Sequence, residues 1–120
     1  MEIKEAIAAI PMTNVQRAKQ FYGETLGFTL KTLSQDLHMY YVLVGTSFFL
    51  LYLRNEKSKA EHTSLSLTVE NIEMAVAQLE HKGISLYEDK GNKIFDLDGS
   101  LSSWFIDSEG NNLEISQRRF

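Results

Sequence analysis

The chain has no cysteine, a single proline and no long apolar run. Without cysteine, disulfides, thiolate metal ligands and thiol nucleophiles are all excluded. A membrane-spanning helix needs roughly 18 consecutive apolar residues, and the opening MEIKEAIAAIP is too short and too acidic for a secretory signal. We therefore expect a cytoplasmic protein with no membrane partner.

Positive charge is also scarce. Lysine and arginine number 12 against 16 aspartate and glutamate residues, which gives a net charge of −4. A nucleic-acid partner would require a basic face, so none is expected. At 120 residues, with 43% hydrophobic and 23% charged residues, the chain is long enough for one domain with its own core.

Common catalytic motifs are missing as well. The chain contains no G-x-S-x-G, no H-E-x-x-H, no phosphate-binding glycine loop and no dinucleotide fingerprint. No spacing singles out a serine, a histidine and a carboxylate as a catalytic set. The residues alone therefore indicate no particular reaction.

The first half of the chain is predicted to contain one helix and four strands. A strand over 3–10 is ended by Pro11, and Asn14 suits the N-cap of the helix that follows. Thr13 with Gln16 offers an alternative capping box. Further strands are predicted over 28–34, 38–44 and 47–53, because β-branched and aromatic residues are frequent there and turn residues flank them.

The second half repeats this order. The stretch HTSLSLTV (62–69) alternates polar and apolar side chains, which is the period of a strand with one wet face. Asn71 suits the N-cap of a second helix, and Gly83 can end it in the left-handed conformation. The remaining strand-like segments are ISLYED (84–89), KIFDLD (93–98), SSWFID (102–107) and NLEIS (112–116).

Two short matches indicate an internal duplication. N-V-Q-R-A at 14–18 matches N-I-E-M-A at 71–75, and G-F-T-L matches G-I-S-L at the two helix ends. We therefore predict an α+β fold in one domain, residues 1–120, with a curved mixed sheet and a cleft. Two β-α-β-β-β modules, about 1–54 and 61–117, are joined by a charged linker, 55–60.

This plan resembles the vicinal oxygen chelate superfamily, which contains glyoxalase I, bleomycin-resistance proteins and extradiol dioxygenases. The resemblance is carried by R-A-K-Q-F-Y…L-G-F at 17–28 and by D-S-E-G-N-N-L-E-I at 107–115, and it covers essentially the whole chain. Ser108 stands where a proline is commoner in the family. The resemblance implies a homodimer and a cleft for a small-molecule ligand, and it names no reaction.

Metal-using members of this superfamily take ligands from four strands. By resemblance, those positions fall here on Ile7, Leu50, Ser64 and Glu114, of which only Glu114 is the expected ligand. His62 lies about 7 Å from Ser64 along the same strand face, so it could replace Ser64 only after a register slip or a bulge. A transition-metal site usually needs three or more protein ligands, and we therefore expect no metal and no cofactor.

Strand alternation supplies candidate ligand-binding residues. Leu113 and Ile115 should face the core, which turns Glu114 toward the cleft together with Ser64. Aromatic side chains on strands could stack on a planar ligand, and either Tyr40 or Tyr41 must face inward. The candidates are Glu114, Ser64, Trp104, His62, Tyr52 and Tyr41.

Three functions follow from these features. The favoured one is a metal-independent small-molecule-binding protein of the bleomycin-resistance or glyoxalase-like type, with no reaction assigned. The alternative is a metal-dependent lyase, isomerase or dioxygenase, in which Glu114 and either His62 or His38 would contact a divalent ion. A third is a dimerising structural or regulatory protein whose cleft is closed by its own side chains.

Overall fold

The computed structural model describes residues 1–57, 59 and 61–119. The strands form two four-stranded sheets, and the chain divides into two compact units, Met1–Lys59 and Ala60–Phe120. Each unit follows the order β-α-β-β-β, which confirms the α+β fold of two duplicated modules. Ser58 and Ala60 of the predicted linker lie outside the described residues, and the single domain stays a prediction.

The elements of the two modules correspond one to one. The first contains β1 (Ala9–Met12), α1 (Val15–Lys19) with a π-helical continuation (Gln20–Thr25), β2 (Thr29–Ser34), β3 (Met39–Val44) and β4 (Ser47–Leu53). The second contains β5 (Thr63–Thr68), α2 (Ile72–His81), β6 (Phe95–Leu97), β7 (Ser100–Ile106) and β8 (Asn112–Gln117). The sheet orders are β1-β4-β3-β2 and β5-β8-β7-β6, and in each the first strand runs parallel to its neighbour.

Both helices begin at the predicted asparagines. The side chain of Asn14 accepts a hydrogen bond from the backbone N–H of Arg17 over 2.9 Å, so Asn14 is the cap rather than Thr13. Asn71 accepts the equivalent bond, three residues on, over 3.1 Å. Gly83 follows α2 with φ +85°, a conformation that favours glycine. Neither helix among the described residues is long and apolar enough to cross a membrane.

One face of each sheet carries buried apolar side chains, which pack against the helical segment of the same module. In the first module the ring of Tyr22 lies 5.5 Å from that of Phe49, which joins the helical segment to β4. In the second module α2 packs on β7 and β8. The buried apolar residues of the elements are Ile10, Met12, Ala18, Tyr22, Tyr40, Val42, Phe49, Leu51, Ile72, Val76, Leu79, Phe105, Leu113 and Ile115. Fully burying one large apolar side chain contributes about 1.5–3 kcal/mol.

The first strand differs from the prediction. β1 includes Pro11 instead of ending before it, and residues 1–8 are exposed and outside any strand. The carbonyl of Ala8 accepts a hydrogen bond from Leu50 of β4, and that of Met12 accepts one from Arg54, the residue after β4. The backbone groups of the even-numbered residues therefore point toward β4. The nitrogen of Pro11 therefore points to the opposite edge, where proline removes no bond to β4.

The segment over 84–89 is also not a regular strand. It makes two isolated bridges, from Leu86 to Phe105 and from Asp89 to Asn92, and the backbone N–H of Tyr87 donates to the carbonyl of Trp104 over 2.7 Å. β6 pairs with the beginning of β7, at positions 100–102. On β7, the segment therefore pairs with the far end of the strand.

Candidate functional site

Glu114 lies on the face of the second sheet that is turned away from the core of its module. Its neighbours Leu113 and Ile115 are buried in that core, as the alternation predicted. Across the sheet, Glu114 stands opposite Ser66 on β5 and Trp104 on β7. The carboxylate is nevertheless largely buried, because the whole residue is only 7% exposed.

Glu114 forms a group with three other polar side chains, those of Ser66, Ser116 and Arg118; these four residues are hereafter the Glu114 cluster. The hydroxyl of Ser66 donates to Oε1 of Glu114 over 2.5 Å and lies 3.2 Å from the hydroxyl of Ser116. Nη2 of Arg118 donates to Ser66 over 3.1 Å and lies 3.5 Å from Oε1 of Glu114. The buried carboxylate thus has a hydroxyl donor and a cationic partner within its own chain.

The beginning of β5 departs from strict alternation. Thr63 stands opposite Asn112 and Leu65 opposite the next residue of β8, so that one residue, Ser64, is inserted between them. This is the pattern of a β-bulge. The hydroxyl of Thr63 accepts a hydrogen bond from Nε1 of Trp104 over 3.1 Å. Sequence reasoning missed Thr63, since strict alternation assigned it to the apolar face.

A cavity of about 620 Å³ opens at this end of the second module. That volume lies within the range of small-molecule sites, about 300–1,000 Å³. Aromatic and aliphatic side chains dominate its wall, with a few polar groups. The lining residues are Glu61, Thr63, Ser85, Leu86, Tyr87, Trp104, Phe105, Ile106 and Asn112.

Three aromatic rings form a row, and the two outer ones, Tyr87 and Trp104, line the cavity. The centroid of Phe95 lies 5.7 Å from that of Tyr87 and 5.8 Å from that of Trp104, with the rings tilted by 39° and 42°. Such spacings are those of interacting aromatic pairs. Trp104, a predicted site residue, therefore belongs both to this row and to the cavity wall, and it stands opposite Glu114.

The other predicted residues lie elsewhere. His62 is exposed immediately before β5, beside the bulge. Tyr41 and Tyr52 share one face of the first sheet, where Tyr41 contacts Phe48 with ring centroids 5.5 Å apart. Tyr40 faces the core and is 4% exposed. Of the two adjacent tyrosines, Tyr41 is therefore the one on the opposite face of the sheet.

The side chains at the family's metal-ligand positions do not fit a metal ion. Ile7 and Leu50 are hydrocarbons, and Ser64 lies in the bulge. Glu114, the remaining position, has its Oε1 within reach of both Ser66 and the guanidinium of Arg118. In the part of the chain that the structure describes, no three histidine, aspartate or glutamate side chains form a group that could hold a metal.

Comparison with known proteins identifies the class. The fold is that of paired β-α-β-β-β modules, and the family model "Glyoxalase/Bleomycin resistance protein/Dioxygenase superfamily" matches residues 6–115. The chain belongs to this superfamily, as its motifs indicated. No curated protein matches it.

Solved structures agree with this fold. A glyoxalase family protein from Enterococcus faecalis is 24% identical, with a TM-score of 0.72 over 98% of this chain and 100% of that one. TnmS3, an antibiotic binding protein from Streptomyces sp. CB03234, is 21% identical, with a TM-score of 0.72 over 98% of each chain. Lactoylglutathione lyase from Agrobacterium tumefaciens is 15% identical, with a TM-score of 0.73 over 98% of this chain and 96% of that one.

Proposed function

We propose that the protein binds a small molecule without a metal ion, in the manner of a bleomycin-resistance-type member of its superfamily. The observation that carries this proposal is the aromatic-lined cavity of the second module. Its Trp104 stands opposite Glu114, a carboxylate that the chain's own side chains already bind. No reaction is part of the proposal.

The donor set of the Glu114 cluster supports metal independence. Divalent transition metals in proteins are usually held by three or more imidazole, thiolate or carboxylate groups. Here the partners of Glu114 are the hydroxyl of Ser66 and the guanidinium of Arg118, and a guanidinium 3.5 Å from the carboxylate would repel a metal cation. Arg118 instead supplies the positive charge that a buried carboxylate requires.

The cavity supports a small-molecule ligand over the closed-cleft alternative. Its volume suits a drug-sized compound, and its wall combines apolar surface with a few polar groups, as ligand sites do. The fold shared with an antibiotic binding protein is consistent with this proposal. A homodimer in the cytoplasm, with no nucleic-acid partner, completes the proposal on the strength of the family resemblance and the acidic charge.

Metal content tests the first half of the proposal. Untagged protein, purified without chelator, should contain far less than one equivalent of metal by mass spectrometry. Its melting temperature should be the same with and without chelator, because Ser66 and Arg118, rather than an ion, are the partners of Glu114. Near-stoichiometric zinc, nickel, manganese or iron would instead favour the metal-dependent enzyme.

Binding of a planar neutral probe, 2-naphthylmethanol, tests the second half. Calorimetry should detect binding to the unmodified protein, and Trp104→Ala and Tyr87→Ala should each weaken it roughly three- to tenfold, the range for an aromatic contact. Leu37→Ala is the control, since Leu37 is an exposed residue of the first module. Equal binding by all four proteins would place the probe outside this cavity and contradict the proposal.

A further inference from the structure

We propose that Thr63 is a positioning residue: its hydroxyl fixes the indole of Trp104 at the cavity, and thereby sets ligand affinity. This inference rests on the proposed function, because it concerns the same cavity. Both residues line that cavity, and the hydrogen bond between them is 3.1 Å long.

The bond spans the sheet. Thr63 belongs to β5 and Trp104 to β7, while β8 lies between these two strands. The indole of Trp104 must therefore extend across β8 to reach Thr63. Indole has only one hydrogen-bond donor, Nε1–H, and Thr63 accepts from it, so this bond favours one orientation of the ring plane.

The bulge at Ser64 is what brings the hydroxyl to the right face. In an uninterrupted strand, Thr63 would share a face with Leu65 and Leu67, which is the apolar face. One inserted residue reverses that assignment, because side chains alternate with a period of two. Thr63 consequently stands opposite Asn112, another residue of the cavity wall.

A second hydrogen bond restrains the backbone of Trp104. Its carbonyl accepts the backbone N–H of Tyr87 over 2.7 Å, which connects another residue of the cavity wall to β7. With backbone and indole both restrained, the ring is ordered before a ligand arrives. Pre-ordering a side chain lowers the entropic cost of binding.

Three variants test this role. Thr63→Val keeps the shape and the β-branched preference for a strand but removes the hydroxyl. Thr63→Ser keeps the hydroxyl, and Thr68→Val is the matched control, because Thr68 is an exposed threonine at the other end of β5. Because Trp104 is the sole tryptophan, its emission anisotropy and its quenching by acrylamide report on this one ring.

We expect Thr63→Val to lower the anisotropy, to increase quenching and to weaken 2-naphthylmethanol binding roughly three- to tenfold, the effect of one hydrogen bond. Thr63→Ser should restore all three readouts, and Thr68→Val should leave them unchanged. In the unmodified protein, the one indole N–H resonance should exchange with solvent more slowly than that of free tryptophan. This measurement is made on the unmodified protein, so it tests the hydrogen bond from Trp104 to Thr63 even where a variant does not fold.

Anisotropy and affinity unchanged in Thr63→Val would overturn the inference, as would an indole N–H that exchanges at the free rate. The two proposals fail separately. If the unmodified protein binds no probe, the cavity proposal fails and with it the effect on affinity, whereas the fluorescence and exchange data still decide whether Thr63 orients Trp104.

Discussion

Ser66 and Glu114 face each other on β5 and β8, and the serine hydroxyl donates to the glutamate carboxylate over 2.5 Å. Glu114, which the family resemblance assigns to a metal, is therefore hydrogen-bonded to Ser66 on the neighbouring strand. Arg118 adds a positive charge from four residues further along the chain. The energetics of this cluster can be measured directly by substitution.

Glu114→Leu should lower the free energy of unfolding by roughly 2–3 kcal/mol. The substitution removes the carboxylate acceptor of the half-buried Ser66 hydroxyl and the counter-charge of Arg118. Glu114→Gln keeps the shape and one acceptor oxygen, and should lose only about 1 kcal/mol. Urea denaturation measures both values, and a leucine variant as stable as the unmodified protein would show that the cluster adds nothing to stability.

The two adjacent arginines should differ in their effects. Arg118→Ala removes a partly exposed ion pair and a hydrogen bond to Ser66, so a loss of about 0.5–1 kcal/mol is expected. Arg119 pairs with Asp98 at 3.8 Å in an exposed position, and Arg119→Ala should stay within roughly 0.5 kcal/mol of the unmodified protein. Equal losses in parallel urea titrations would argue that Arg118 has no special partner.

The N-cap of α2 offers a prediction about the helix that supports the second sheet. Asn71→Ala should cost about 1 kcal/mol, because the N–H of Met74 loses its side-chain acceptor at the helix start. Asn71→Ser supplies another acceptor and should retain most of the stability. Thermal and urea denaturation of the two variants provide the comparison, and an alanine variant as stable as the serine variant would contradict the capping role.

Lys93 gives the stability a predictable dependence on pH. Its pKa is raised above the ordinary value of 10.5, first by the hydrogen bond that its ammonium donates to Glu80 and then by that carboxylate's charge. A raised folded-state pKa means that the contribution is complete below the unfolded value and disappears as pH rises through the folded one.

Lys93→Gln should therefore reduce stability by the same amount at neutral pH and at about pH 9, both well below the lysine pKa. The difference from the unmodified protein should shrink once the pH exceeds 10.5. Urea midpoints at each pH test this, and a difference that grows in alkali would contradict the assignment. Lys90→Gln, a nearby exposed lysine, is the matched control.

Much of the architecture was predictable because its signals are local. The caps at Asn14 and Asn71 and the bounds of β4, 47–53, follow from residues close together in the chain. The orientation of Glu114 followed from its apolar neighbours. Each of these features depends on helix capping or on alternation along one strand, which a short stretch of residues can specify.

Other features required pairing between distant residues. Pro11 was predicted to end β1, but an edge position tolerates proline, and only the sheet order makes β1 an edge. Residues 84–89 were predicted as a strand, but β6 already pairs with the beginning of β7. The residue pattern along one segment does not reveal which strands are already paired with each other.

The sequence by itself determined the duplicated plan, the family and the aromatic and acidic residues available to a site. Tertiary structure alone decided which of them meet: the bulge that turns Thr63 toward Trp104, and the cluster that joins Ser66, Glu114 and Arg118. The reason is physical. A one-residue change in register reverses the face of every side chain beyond it, and register is set by the partner strand rather than by the strand itself.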